Sequence, residues 1–108
     1  MIVVTTNGLP GYHVKEVLGM VRGNSIRARH LGKDITANLR RLAGGEITEY
    51  TKMIAETREQ AVDRMVEDAE TLGANAILAV RFQTTEVQSS AAEMLCYGTA
   101  VIVESDQD

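Results

Sequence analysis

Residues 46–72 read EITEYTKMIAETREQAVDRMVEDAETL, and a glycine follows at 73. Ile47, Tyr50, Ile54, Ala61, Met65, Ala69 and Leu72 recur at steps close to 3.6, and Val62 and Val66 widen the stripe. Gly73 supplies a left-handed stop. The spacing predicts one helix of about 27 residues, roughly 40 Å long at 1.5 Å per residue. A compact chain of this length has a radius of gyration near 13 Å. Such a helix is therefore expected to overhang whatever it packs on.

Outward from the helix, the remaining periodicity is that of strands. Asn75 to about Val87 alternates Ala76, Leu78, Val80 and Phe82 against Ile77, Ala79, Arg81 and Gln83, so its first half is apolar on both faces. Gln88-Ser89-Ser90 makes a loop. Glu93 to Glu104 forms the last strand, with Met94, Cys96, Gly98, Ala100 and Ile102 opposing Leu95, Tyr97, Thr99, Val101 and Val103. It too is apolar on both sides. On the other flank, Ile2 to Thr6 is a β-branched run ended by Asn7-Gly8 and Leu9-Pro10-Gly11. A strand from about Val14 to Arg22 sets Val17, Gly19, Val21 and Gly23 on one face, with Leu18, Met20 and Arg22 on the other. Two glycines on one face fit either a close-packed layer above them or a bend in the strand. Asn24 to Leu42 is polar, basic and weakly helical, with Ile35, Leu39 and Leu42 on one stripe, and Gly44-Gly45 ends it. Ser105 to Asp108 is expected to fray.

The 108 residues (11.8 kDa) suit a single domain over 1–108. Apolar residues make up 44% of the chain, but only Tyr12, Tyr50, Phe82 and Tyr97 are aromatic, so the core is thin and mostly aliphatic. One Cys and one Pro exclude a disulfide framework and suit a reducing cytoplasm. The apolar runs fall far short of the roughly 20 residues of a membrane span. A net charge of −4 argues against nucleic-acid binding, which needs a basic surface. That average hides a split: residues 22–41 carry six basic residues against Asp34, a balance of +5, so the rest sums to −9.

One helix layer covers one sheet face, yet two strands are apolar on both, so the second face calls for cover. Self-association supplies it, and the charge split suits head-to-tail contacts that close into a ring. The alternative is that the basic segment folds back over the face.

Gly44-Gly45 with Tyr50, Thr57 to Ala61, Met65, Ala69, Leu72-Gly73-Ala74-Asn75-Ala76, Arg81-Phe82 and Tyr97-Gly98-Thr99-Ala100-Val101 together resemble the YbjQ family of small microbial proteins. Thr5-Thr6, Gly11 and Gly19-Met20-Val21-Arg22-Gly23 extend the resemblance over nearly the whole chain. Thr57 and Gln83 depart from the family pattern, and Gln83 removes a carboxylate, which weakens any cation site on that strand. The resemblance implies an α+β, dodecin-subunit-like two-layer unit, with the long helix on a small antiparallel sheet. It also implies a ring of five subunits, with stacking of rings as a further step, and no established activity. The family carries a heavy-metal-binding label that rests on similarity.

That label directs attention to donors. No CxxC, HxH or HExxH is present, so a soft or divalent metal ion would need Cys96 from several copies, or the carboxylates Asp63, Glu67 and Glu70 spaced i, i+4, i+7. The bland readings are Cys96 as a small core residue and the carboxylates as a solvated face or as partners for a neighbour's arginines. Arg64 is placed to pair with Glu67 and Asp68. Arg27, Arg29 and His30 are candidates for an anion in an opening or cleft between subunits. No GxSxG, P-loop or GxGxxG is present and no nucleophile and base can be paired, so a non-enzymatic protein is the leading expectation.

Overall fold

The computed structural model describes residues 1–27, 45–88 and 91–107. β1 (Ile2–Val3), β2 (Tyr12–Arg27), β3 (Ala76–Gln88) and β4 (Ala91–Ser105) form one sheet in the order β1-β3-β4-β2, and α1 spans Gly45–Thr71. The α+β class and the helix on a sheet agree with expectation, but the sheet is mixed rather than antiparallel. β1 runs parallel to β3, while β3 and β2 flank β4 antiparallel. The β-branched N-terminal run forms the short strand β1. It lies against β3, where Ile2 N donates to Asn75 O at 3.1 Å and Val4 N to Ile77 O at 3.0 Å.

The Cα radius of gyration is 17.5 Å and the long axis measures 60 Å, well beyond the compact expectation. The cause is the sheet: at about 3.3 Å per residue, β2 alone runs to roughly 50 Å. β2 is the longer element, yet α1 runs antiparallel to it with Gln60 beside Ser25, so residues 45–59 of α1 extend past the two residues of β2 that follow Ser25, and the overhang expected from helix length is present.

α1 packs through one row. Thr57, Ala61, Met65 and Ala69, four residues apart, are all buried, and the three apolar ones join Val21, Ile77, Val80, Cys96 and Ala100 in the main core. Small residues at 61 and 69 bring the helix backbone close to β2. A Cβ on Gly23 would run into Ala61 O and Met65 N. Gly19 has a different cause: nothing lies within 4 Å of its Cβ position, but its φ is +126° at a register shift in β2. Of the two readings offered for this glycine pair, Gly23 takes the first and Gly19 the second.

β3 breaks its own alternation. Ala79 has φ +55°, and two residues there oppose Gly98 alone. The bulge lets Ala79 N reach Thr6 O at 2.9 Å and Val80 N reach Val4 O at 3.0 Å. It also turns Val80 to the helix side with Ile77, leaving Ala76 and Leu78 on the other face.

On that other face, Ala76, Leu78, Val101 and Val103 are buried under Ile2, Val4 and Leu9. Part of the cover expected from a second copy therefore comes from the chain's own N-terminus. The outer edge of β2 is also guarded. Arg22 N donates to Asp68 Oδ2 at 3.3 Å, and Arg64 Nη1 donates to Asn24 O at 2.6 Å, so two α1 side chains occupy backbone groups that would otherwise invite another strand. Arg64 serves the sheet instead of pairing with Glu67 and Asp68 as its spacing suggests. At the far end Ser105 closes β4, and Asp106 N donates to Gly11 O at 2.9 Å, so the expected fraying does not begin at Ser105.

Candidate functional site

The carboxylates proposed from spacing lie where a helix of this phase puts them. Asp63, Glu67 and Glu70 are exposed, opposite the buried row of Ala61, Met65 and Ala69. Among the described residues none of the three takes part in a salt bridge. Nor do three or more His, Cys, Asp or Glu side chains gather anywhere among them to hold a metal ion.

Cys96 is fully buried on the helix side of β4, and its thiol donates to Met65 Sδ at 3.5 Å. Burial pushes the thiol above its ordinary pKa, partly offset by a hydrogen bond from the Gly23 backbone. One enclosed thiol and one thioether are too few donors for a resident soft-metal site, which takes three or four. Both groups are enclosed under α1 within the one chain. The described residues of a single chain do not fit a heavy-metal centre. In the native protein Cys96 should react with an aromatic disulfide reagent far more slowly than in denaturant; equal rates would contradict this burial.

Arg27 ends β2 opposite Ala92, while Arg29 and His30 lie outside the described residues, as do the helical stripe of Ile35, Leu39 and Leu42 and the idea that the basic segment covers the sheet. His13 gains partners that sequence did not suggest. Its Nδ1 is 2.8 Å from Asp106 Oδ1 and its Nε2 is 3.5 Å from Glu104 Oε1, while Lys15 Nζ is 3.4 Å from Glu104 Oε2. These groups are about half exposed and fasten the chain end to β2.

The arrangement with the widest reach is the sheet face turned away from α1. Beyond the cover of Ile2, Val4 and Leu9, register sets Met20 beside Thr99, Arg22 beside Tyr97 and Arg81, Asn24 beside Leu95 and Gln83, and Ile26 beside Glu93 and Thr85. Along β2, Val17 is 65% exposed, Met20 69% and Ile26 58%. Arg22 and Arg81 flank Tyr97, and neither is in a salt bridge among the described residues; Arg81 Nη1 donates to Thr5 O at 2.9 Å and Val80 O at 2.8 Å. The nearest carboxylate on this face, Glu93, accepts from Asn24 Nδ2 at 2.8 Å. The face is apolar and basic, and α1 on the opposite side is acidic. Sequence shows Arg22 and Arg81 separately; only register across three strands puts them in one row.

These features define a class: a small two-layer α+β domain with one sheet face under a helix and the other partly bare. The chain belongs to the YbjQ family, whose profile, described as "Putative heavy-metal-binding", matches residues 1–104. It is 55% identical over 101 residues to a UPF0145 protein of Methanosarcina acetivorans, covering 94% of this chain and 95% of that one. A UPF0145 protein of Clostridioides difficile is 53% identical over 106 residues, covering 98% and 95%. A crystal structure of a protein of unknown function from the DUF74 family of Pediococcus pentosaceus superposes with a TM-score of 0.63 at 19% identity, covering 96% of this chain and 98% of that one. That likeness concerns the fold. Among the described residues no helix is long and apolar enough to cross a membrane.

Proposed function

We propose that this chain is a non-enzymatic subunit of a homo-oligomeric ring, with five copies as the number its family resemblance implies. The observation that carries the reading is the bare apolar face of β2, where Val17, Met20 and Ile26 are each more than half exposed on the side away from α1. Three large apolar side chains along one strand favour a partner, because removing such surface from water contributes about 25 cal/mol per Å². A second copy always meets the requirement of being present at the right stoichiometry. The split of charge adds direction: an acidic helix on one side and a basic, apolar sheet face on the other favour head-to-tail contacts over a two-fold one.

Sedimentation velocity tests this through a paired substitution. Val17→Asp/Met20→Asp places two carboxylates on the bare face at no cost to the buried core, and the expected result is a folded monomer where the parent chain sediments as an oligomer. A double variant with the parent's sedimentation coefficient would remove this face from the interface.

A further inference from the structure

We infer that the bare sheet face of one copy receives the outward face of α1 from the next, with the Arg22–Tyr97–Arg81 row set against the Asp63–Glu67–Glu70 stripe. The inference rests on the homo-oligomeric reading above and names its two contact surfaces. Within one chain these surfaces look in opposite directions, because α1 lies on the Val21, Cys96 and Ala100 side of the sheet and Arg22, Tyr97 and Arg81 lie on the other. They meet only between copies.

The occupant is identified by charge. From Glu59 to Thr71 the one basic residue is Arg64, whose Nη1 donates to Asn24 O, and among the described residues none of Asp63, Glu67 and Glu70 is in a salt bridge. Negative charge near a helix C-terminus is disfavoured by the macrodipole, and α1 has no basic residue in its last turn to offset it. On the receiving face, Arg22 and Arg81 lack carboxylate partners among the described residues, Arg81 donating through Nη1 to the Thr5 and Val80 carbonyls, and Glu93 is engaged by Asn24. Exposed pairs between such groups are worth little in water. Beside Met20, Val17 and the Tyr97 ring, they would be shielded on docking, which strengthens attraction and penalises wrong registers.

The edge of β2 favours the same conclusion. Asp68 and Arg64 already hold Arg22 N and Asn24 O, so lateral strand addition is obstructed at the row where a face contact is open. Because the donor and acceptor surfaces differ, each copy gives one and receives one, and the chain of contacts closes into a ring when the rotation per copy permits.

The test is a charge exchange read by sedimentation equilibrium, with far-UV circular dichroism and thermal melting to confirm that each variant folds. Arg22→Glu and Glu67→Arg, made singly, should each raise the concentration for half-dissociation about tenfold or more. Arg22→Glu/Glu67→Arg in one chain should recover most of that loss. Glu67→Arg changes an exposed helix position, so it remains informative if Arg22→Glu melts early. Singles that weaken assembly without recovery in the double variant, or singles without effect, overturn the pairing while leaving the oligomer in place. A parent chain that is monomeric throughout overturns the pairing together with the reading beneath it.

Discussion

Gly23→Ala should destabilise the protein near the upper end of the roughly 1–3 kcal/mol typical of overpacking, lowering the melting temperature by on the order of 10 °C. The added methyl is directed at backbone: Ala61 O and Met65 N of α1 occupy its place. A flexible side chain in that position would rotate away, whereas backbone moves only if the helix lifts from β2. Lifting it would disturb the contact that Val21, Met65 and Cys96 make beneath it and the hydrogen bond of 2.6 Å from Ser25 Oγ to Gln60 Oε1. Gly8→Ala is the control, because nothing lies within 4 Å of its Cβ position and its φ is not left-handed, so its melting temperature should stay near that of the parent. Equal stability of the two variants by thermal melting would show that α1 does not press on Gly23.

Met65→Ala should cost about 2–5 kcal/mol, the range for emptying a fully buried site of this size. Met65 is 0% exposed at the centre of the main core, among Val21, Ala61, Ala69 and Cys96. The substitution also removes the acceptor of the Cys96 thiol. Met65→Leu keeps the volume and loses only that weak S–H contact, so a cost below about 1.5 kcal/mol is expected. Urea unfolding of both variants reads the difference. Similar losses would mean that the sulfur contact, rather than filled volume, accounts for the role of Met65.

The helix, β3 and β4 are legible because their signals are local, whereas residues 24–27, which read in sequence as the start of a polar, weakly helical segment, continue β2 in register with β4. The 3.6-residue period over 46–72 matches α1 at Gly45–Thr71, and alternation places β3 and β4 to within a residue or two. Local periodicity carries no information about which strands are neighbours. That is why the parallel pairing of β1 with β3 was missed, and with it the partial cover that Ile2, Val4 and Leu9 give the second face. Alternation also presumes an unbroken pleat. The bulge at Ala79, a non-glycine residue with positive φ, moves Val80 to the helix side, and nothing in Leu78-Ala79-Val80 announces it.

The candidate site divides along the same line. The Asp63, Glu67 and Glu70 stripe follows from helical spacing alone, and it is where that spacing puts it. Cys96 follows from strand alternation, and its enclosure beside Met65 agrees with the small-core-residue reading. The arginine row and the His13 contacts needed the fold, since Arg22 and Arg81 are joined through Tyr97 across three strands and His13 reaches Asp106 from 93 residues away.

The central claim is that the bare face of β2 is completed by further copies of the chain. Native mass spectrometry at micromolar concentration tests it most directly. A discrete species at a multiple of the 11.8 kDa chain is expected, five times that mass for the ring the family resemblance implies. A single species at 11.8 kDa over the whole concentration range would contradict it.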